Sequence, residues 1–109
     1  MEGELRSILS PRTIDKILKV LPVNSRIHLW KKEIYFDIGI RMGSEKAVTS
    51  CEAGDIAYWP QGDAVCIFFE NMTPAGKVNP LGKITPIDFV EFFTTLRSGM
   101  PITFRLKST

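Results

Sequence analysis

The sequence is poor in the residues that usually assign a chemistry directly. It contains one histidine and two cysteines in 109 residues, and Cys51 and Cys66 form neither a CxxC pair nor a cluster with His28. Zinc sites need several closely spaced thiolates and imidazoles, so we predict no metal and no cofactor. We expect both cysteines to be free thiols, with Cys66 packed in the core like a small apolar residue.

Long apolar runs and a strong net charge are also absent. No stretch approaches the roughly eighteen apolar residues of a membrane-spanning helix, and the acidic start of the chain does not resemble a signal peptide. The net charge is +2, with 14 Lys and Arg scattered along the chain against 12 Asp and Glu. Nucleic-acid binding usually requires a strongly basic patch. We therefore expect a cytoplasmic protein that binds neither membranes nor nucleic acids.

The composition that remains is that of one folded domain. Hydrophobic residues make up 44% of the chain and charged residues 24%, close to the average of soluble globular proteins. A chain of this length can bury a core of its own. We predict a single domain over residues 1–109.

Two serine or threonine residues that precede a proline predict two helices. At Ser10-Pro11 and at Thr85-Pro86 the first residue can cap a helix and the proline can occupy its first turn. The first helix is predicted to end at Pro22. The second is predicted to have Thr85 as its cap, Asp88 in its third position and Gly99 as its C-cap. Its apolar face comprises Phe89, Phe92, Phe93 and Leu96.

The remaining segments predict short strands joined by turns. The predicted strands cover residues 5–9, 26–30, 33–41, 45–51, 56–59, 64–69, 78–84 and 101–107. In the third strand, apolar and polar residues alternate, which predicts Tyr35, Asp37 and Arg41 on a solvated face. Residues 64–69 are apolar throughout, which predicts a central strand. Pro80 and Gly82 predict a sheet edge at 78–84. Without β–α–β repeats, the pattern favours a mainly β, antiparallel barrel.

Three polar residues are candidates for chemistry, but each has a simpler interpretation. His28 has no Ser or Cys nucleophile and no acidic partner nearby in sequence, so we interpret it as structural or exposed. Asp55 and Asp63 follow Gly54 and Gly62 closely, and we interpret them as turn-forming residues.

Three segments carry a resemblance to a known family. Trp30–Phe36, Gly54–Phe69 with its GDIAYWP and CIFF motifs, and Thr73-Pro74 together resemble the small archaeal and bacterial cyclophilin-like proteins of unknown function. The resemblance implies a mainly β, cyclophilin-like antiparallel β-barrel with two short α-helices. The chain differs at Glu70, where the family has glycine, and at the Lys31-Lys32 turn.

The resemblance also implies a strand before the first helix, and the segment available for it here is short. A strand that is missing, or that pairs with another chain, would leave an open sheet edge. We therefore consider a homodimer.

The leading functional hypothesis is a non-catalytic binding module. An aromatic-lined barrel mouth would hold a peptide or a small molecule. The predicted pocket residues are Arg41, Tyr58, Gln61, Phe68 and Met72. Neighbours on a strand point to opposite faces, so which of Phe68 and Phe69, and which of Tyr58 and Trp59, faces the pocket stays open.

The alternative hypothesis is a peptidyl-prolyl cis-trans isomerase with a non-standard site. The strand Ile67-Phe68-Phe69 is similar to the Gln-Phe-Phe strand of true cyclophilins, but the glutamine is lost. The arginine of those enzymes has no counterpart in residues 26–53, and their tryptophan and histidine fall on Thr73 and Val78. In a rebuilt site, Phe68 or Phe69 with Tyr58 would form an apolar floor. Arg41 or Gln61 would donate a hydrogen bond. An unrelated enzymatic activity is a third hypothesis, which rests on analogy of fold alone.

Overall fold

The computed structural model describes residues 1–107, which contain eight strands and two helices. In chain order these are β1 (Gly3–Leu5), α1 (Pro11–Val20), β2 (Val23–Arg26), β3 (His28–Trp30), β4 (Glu33–Asp37), β5 (Asp55–Trp59), β6 (Ala64–Phe68), β7 (Asn79–Ile84), α2 (Phe89–Thr94) and β8 (Pro101–Phe104).

The strands form two antiparallel sheets. The larger sheet has six strands in the order β1-β7-β5-β6-β4-β3, and β2 pairs with β8 in the smaller one. The mainly β, antiparallel architecture with two short helices is confirmed. The barrel prediction needs one qualification, because within residues 1–107 the hydrogen-bonded strands do not close into a single ring.

One face of the six-stranded sheet carries the main core. Side chains alternate along each strand, so every second residue of β4, β5 and β6 points to this face. They pack with helix α1, with the apolar side of α2 and with the smaller sheet. Residues of this main face are Ile34, Phe36, Ile56, Tyr58, Val65, Ile67 and, just beyond β6, Phe69. Phe69 contacts the rings of Phe89, Phe92 and Phe93 at centroid distances of 6.2, 6.1 and 5.3 Å.

The opposite face, which we call the second face, is covered as well. Cys51, Ala57, Cys66, Phe68 and Val78 form a second buried cluster there. The prediction of a strand at 45–51 is wrong, because this segment pairs with the 72–78 segment only through two isolated bridges. These two loops lie over the sheet, so the polar face of β4 is not simply solvated.

The N-terminal strand is present in the same chain. β1 begins at Gly3 and pairs with β7, slightly earlier than the predicted 5–9 segment. As a result β7 lies between β1 and β5 and is not an edge strand, although it contains Pro80 and Gly82. Gly82 permits the close pairing, since an added Cβ would lie 1.8 Å from the carbonyl oxygen of Glu4. A homodimer stays a prediction. A missing N-terminal strand is no longer an argument for it, because β1 is present in the chain.

The second helix begins later than the sequence predicts. It starts at Phe89, and the Asp88 carboxylate caps it by accepting a hydrogen bond from the Glu91 N–H at 3.0 Å. The Thr85 N–H donates to the carbonyl oxygen of Glu2, so the chain is still paired with the N-terminus at this position. The C-cap is Thr95, and Gly99 adopts a φ of +93° before β8.

The first helix has the predicted bounds but a different cap. Ser10 occupies the N-cap position and makes no side-chain cap hydrogen bond. Instead the Glu45 carboxylate accepts hydrogen bonds from the N–H of Arg12 at 3.0 Å and from the N–H and hydroxyl of Thr13, both at 2.8 Å. The buried Asn79 amide accepts from the Glu45 N–H at 2.8 Å and donates to the Thr13 hydroxyl at 3.1 Å. This network joins α1 to the loop after β4 and to β7.

Replacing Glu45 by alanine should therefore lower the free energy of unfolding by about 1–2 kcal/mol, because the helix start and the buried Thr13 hydroxyl lose their acceptor. Burial raises the pKa of Glu45, but the hydrogen bonds from Thr13 and Arg12 outweigh it and hold the pKa below the ordinary 4.5. The stabilisation is thus present above about pH 4.5 and is lost as the pH falls through the lowered pKa. Urea unfolding of Glu45→Ala, with the exposed Glu70→Ala as control, measures this. Equal stabilities of the two variants would contradict it.

Candidate functional site

A small cavity lies on the second face of the sheet, beneath the 72–78 loop. Its volume is about 120 Å³. Its walls come from four neighbouring strands and from the loop that covers them. It is lined by Trp30, Glu33, Tyr35, Trp59, Cys66, Pro74, Ala75 and Val78.

Strand register places these side chains together. Trp30 lies opposite Glu33 across the β3–β4 hairpin, and Tyr35 lies opposite Cys66 across β4 and β6. Trp59 ends β5 two residues after Ala57, the partner of Cys66. The hairpin turns at Lys31, which adopts a φ of +53°. Residues two apart share a face, so these pairs all project to one side of the sheet.

Among the residues that the structure describes, Glu33 is the only acidic one in the cavity wall, and it is 4% exposed. Its Oε2 atom is buried and has no hydrogen-bond partner among residues 1–107. Burial raises the pKa of this carboxyl to about 7. A hydrogen bond with Cys66 lowers the pKa, but its effect is smaller than that of burial. No Lys or Arg is among the described residues that line the cavity. Glu33 is therefore a buried acid whose charge can change near neutral pH.

The two thiols beside it are not activated. Burial raises the pKa of Cys66, and the nearby Glu33 carboxyl raises it further. Burial likewise raises the pKa of Cys51 to about 12, with Asp55 and Glu33 adding to the effect. Both cysteines are free and buried. A nucleophilic cysteine needs a lowered pKa, so these thiols are structural.

Three aromatic rings surround the carboxyl. The Tyr35 and Trp59 rings meet edge to face with centroids 6.0 Å apart, and His28 stacks on Tyr35 at 5.1 Å. On the third ring, Trp30, the Nζ of Lys31 lies 4.6 Å from the centroid. The cavity thus combines aromatic walls with one ionisable group.

Gly76 allows the covering loop to approach the indole of Trp59. A Cβ added there would lie 3.2 Å from Trp59 Nε1 and 2.9 Å from Gln61 Oε1. Trp59 Nε1 is buried, and the described part of the chain offers it no hydrogen-bond acceptor. Gln61 is exposed and lies beside this edge of the site.

The structure does not gather the five predicted pocket residues around one cavity, and none of them lines the cavity described here. Tyr58 and Phe68 are both 0% exposed, on the main and second faces respectively. Arg41 is exposed with a φ of +51°, and Met72 is half-buried opposite Cys51. Contact of these residues with a ligand stays a prediction.

The faces of the two adjacent pairs are now defined. Trp59 lies on the second face with the cavity, whereas Tyr58 lies in the main core; Phe68 lies on the second face and Phe69 in the main core. The Tyr58 hydroxyl donates to Asp63 Oδ1 at 2.6 Å and accepts from the Met42 N–H at 3.1 Å. The Tyr58 hydroxyl is therefore used in hydrogen bonds within the protein. A residue at a barrel mouth would have its hydroxyl free for a ligand.

Asp63 is a turn residue, as the sequence predicts. Its φ is +49°, and its Oδ1 atom accepts hydrogen bonds from the N–H groups of Ile40 at 3.1 Å and Arg41 at 2.9 Å in addition to the Tyr58 hydroxyl. It fixes the chain after β4 against the β5–β6 loop.

Sequence reasoning missed Glu33, although a signal for it exists. Glu33 precedes Tyr35 by two residues and therefore shares its face, and Trp59 and Cys66 occupy the alternate positions of their own strands. The alternation of apolar and polar residues in β4 predicts that one face of this strand is exposed to solvent. The loop from 70 to 78 covers that face, and the local sequence of β4 carries no signal for this.

A second, larger cavity of about 770 Å³ lies on the main face, between the six-stranded sheet and the chain ends. Its walls are mostly aliphatic and aromatic. The charged residues around it, such as Glu2, Glu4 and Lys107, are exposed, and Glu2 and Lys107 pair with each other at 3.0 Å. It therefore offers apolar area without buried polar groups that would orient a ligand.

Within residues 1–107, no three His, Cys, Asp or Glu side chains are grouped as metal ligands would be. None of the helices in the described range has the length and apolar character needed to cross a membrane.

The buried Glu33 carboxyl predicts a specific dependence of stability on pH. The unfolded chain loses this proton near pH 4.5 and the folded chain near pH 7, so the folded state binds more protons between these values. The free energy of unfolding therefore falls as the pH rises through this window, by about 3 kcal/mol in all. A Glu33→Gln variant lacks the effect and should gain stability relative to the wild type between about pH 4.5 and 8.

Urea unfolding across that pH range measures the difference, and the exposed Glu70→Gln variant is the matched control. A constant difference between Glu33→Gln and wild type at all pH values would show that Glu33 ionises as an ordinary surface acid.

Comparison with known proteins identifies the family of the chain. The family model described as Cyclophilin-like matches residues 1–105. No curated protein matches. Among solved structures, the hypothetical protein AF2241 from Archaeoglobus fulgidus is similar with a TM-score of 0.77 and 28% identity, over 94% of this chain and 83% of that one. McbB, solved in complex with tryptophan, has a TM-score of 0.71 and 14% identity, over 85% of this chain and 33% of that one, which is a likeness of fold alone. The chain belongs to the cyclophilin-like family.

Proposed function

We propose that this protein is a binding module that holds a small ligand, or the end group of a larger one, in the Glu33 cavity. The observation that carries the proposal is the Glu33 Oε2 atom, which is buried at the cavity wall with no partner in the described part of the chain. Buried polar atoms almost always have a hydrogen-bond partner. A ligand that donates a hydrogen bond to this oxygen would satisfy it.

The aromatic walls support binding more than catalysis. Ligand sites are usually apolar and aromatic with a few placed polar groups, and Trp30, Tyr35 and Trp59 with Glu33 fit that composition. A pKa of about 7 would suit a general acid or base, but such a residue needs a second reacting group. Cys66 is the neighbour of Glu33 that could serve as this second reacting group, but its raised pKa keeps it a neutral thiol.

The cavity volume limits the size of the bound group. About 120 Å³ is less than the roughly 150 Å³ of an engineered cavity that admits benzene. The buried part of the ligand is therefore no larger than roughly the size of a benzene ring. McbB, which shares the fold, was solved with tryptophan bound. A whole tryptophan would not fit the Glu33 cavity, so we propose a smaller group here.

We also propose that the protein acts in the cytoplasm without nucleic acid or a membrane as partner. Free, buried Cys51 and Cys66 are compatible with a reducing compartment. The net charge of +2 offers little attraction to phosphate-rich partners.

Binding can be followed through the two tryptophans of the chain, because both line the cavity. We expect isobutyramide, pyrrolidine or imidazole, at millimolar concentration, to shift the indole N–H signals of Trp30 and Trp59 in ¹⁵N-correlated NMR spectra and to change tryptophan fluorescence. Replacing Ala75, at the exposed rim, by leucine should fill the cavity and weaken binding about tenfold or more, since the larger side chain occupies the ligand's space.

Ala47→Leu is the matched control, because Ala47 is a loop alanine outside the cavity wall. Fragment signals confined to the larger cavity near β8, or equal binding by both variants, would overturn the proposal.

Prolyl isomerisation should be absent. The floor candidates of the alternative hypothesis are all buried: Tyr58 and Phe69 lie in the main core and Phe68 lies on the second face. The donor candidates Arg41 and Gln61 are exposed. A floor and a donor therefore do not converge on one proline. We expect the protein to leave the isomerisation rate of a proline-containing tetrapeptide at its uncatalysed value, with an active prolyl isomerase as positive control. Acceleration proportional to protein concentration, and lost in Phe68→Ala, would contradict this.

A further inference from the structure

We infer that the group bound in the Glu33 cavity is a small organic ammonium ion that carries at least one N–H. This inference rests on the proposed function and names the chemistry of its ligand. The juxtaposition that supports it is a single buried carboxyl, with an unpartnered oxygen, among three aromatic rings.

The carboxyl favours a cation that can donate a hydrogen bond. Buried charges in proteins are paired, and no Lys or Arg among the described lining residues pairs with Glu33. An N⁺–H donor would supply both the missing hydrogen bond of Oε2 and the opposite charge. An anionic ligand would meet the same carboxyl with like charge, so the wall disfavours carboxylates and phosphates.

The rings favour the same ligand independently. The face of an aromatic ring attracts an ammonium group, most strongly when the pair is removed from water. The protein already shows one such pair, since the Lys31 ammonium lies 4.6 Å from the centroid of the Trp30 ring. Trp59 and Tyr35 present further rings around the buried carboxyl.

The size of the cavity selects short amines. About 120 Å³ accommodates a branched alkylammonium such as isobutylammonium, but excludes an aromatic amine as large as tryptamine. A longer amine would have to place its remaining atoms at the exposed rim near Ala75. The ligand is therefore a free short amine or the amine-bearing end of a longer chain.

Binding should depend on pH because the ammonium ion requires ionised Glu33. As the pH falls below about 7, a proton competes with the ligand for the carboxyl, so the affinity should fall by up to about tenfold per pH unit. Other titratable or charged groups occur on the elements around the cavity. They include Tyr35 and Asp37 on β4, Cys66 on β6, Asp55 on β5, Cys51 in the 45–51 segment, Lys77 in the covering loop, His28 on β3, and Lys31 and Lys32 in the hairpin turn.

The experiment compares ligands of one shape and different charge. Isobutylammonium, isobutanol, isobutyramide and isobutyrate are titrated at about pH 8 against the wild type and against Glu33→Gln, with tryptophan fluorescence and the indole N–H signals as readouts. We expect the wild type to bind isobutylammonium at least about tenfold more tightly than isobutanol or isobutyramide, and to bind isobutyrate least. In Glu33→Gln the preference for the ammonium ion should disappear.

Wild-type titrations at lower pH give a second measurement that needs no Glu33 variant. The loss of ammonium affinity below about pH 7 should persist in His28→Gln, because we attribute it to protonation of the Glu33 carboxyl. Glu70→Gln is the control for a change of surface charge and should bind as the wild type does.

The outcomes separate the two proposals. Equal or tighter binding of isobutyramide or isobutanol in the cavity would overturn the ammonium inference and leave the binding function in place. An ammonium preference retained in Glu33→Gln would overturn the inference as well. Failure of all four compounds, and of imidazole and pyrrolidine, to perturb either indole signal would overturn both proposals.

Discussion

The burial of β6 on both of its faces is the constraint on which the rest of the structure depends. All five residues from Ala64 to Phe68 are buried. Val65 and Ile67 pack into the main core, while Cys66 and Phe68 pack under the loops of the second face. The hydrogen-bonded neighbours β4 and β5 are then held between the same two layers. A polar side chain that points to the second face from β4 is enclosed by this arrangement, and Glu33 is that side chain.

The loops of the second face do the enclosing with little regular structure. The bridges Val48–Val78 and Cys51–Met72 hold two irregular segments together, and Gly76 lets one of them close over Trp59. The small cavity exists because this cover is not a strand with regularly spaced side chains. The cover of the site thus depends on contacts between residues that are distant in sequence, since each bridge joins residues at least twenty positions apart.

This explains which parts of the fold could be predicted from the sequence. The bounds of α1 follow from Ser10-Pro11 and Pro22, and β5 and β6 follow from apolar runs between turns, because these signals are local. The cap of α1 could not be predicted, since it comes from Glu45, more than thirty residues away. The helix α2 starts at Phe89, beyond the local signal at Thr85-Pro86, where the backbone is still paired with Glu2.

The site was predicted less well than the fold. Of the aromatic residues in the GDIAYWP and CIFF motifs, Trp59 lines the cavity, whereas Tyr58, Phe68 and Phe69 do not. The alternation of a strand assigns Trp59 to the cavity and Tyr58 to the core. Glu33 follows Lys31-Lys32, and an acid next to two lysines at a hairpin is ordinarily exposed. Its enclosure raises its pKa, so an ionised carboxylate here destabilises the folded state. Under the proposed function, a ligand that pairs with the carboxylate would offset that destabilisation.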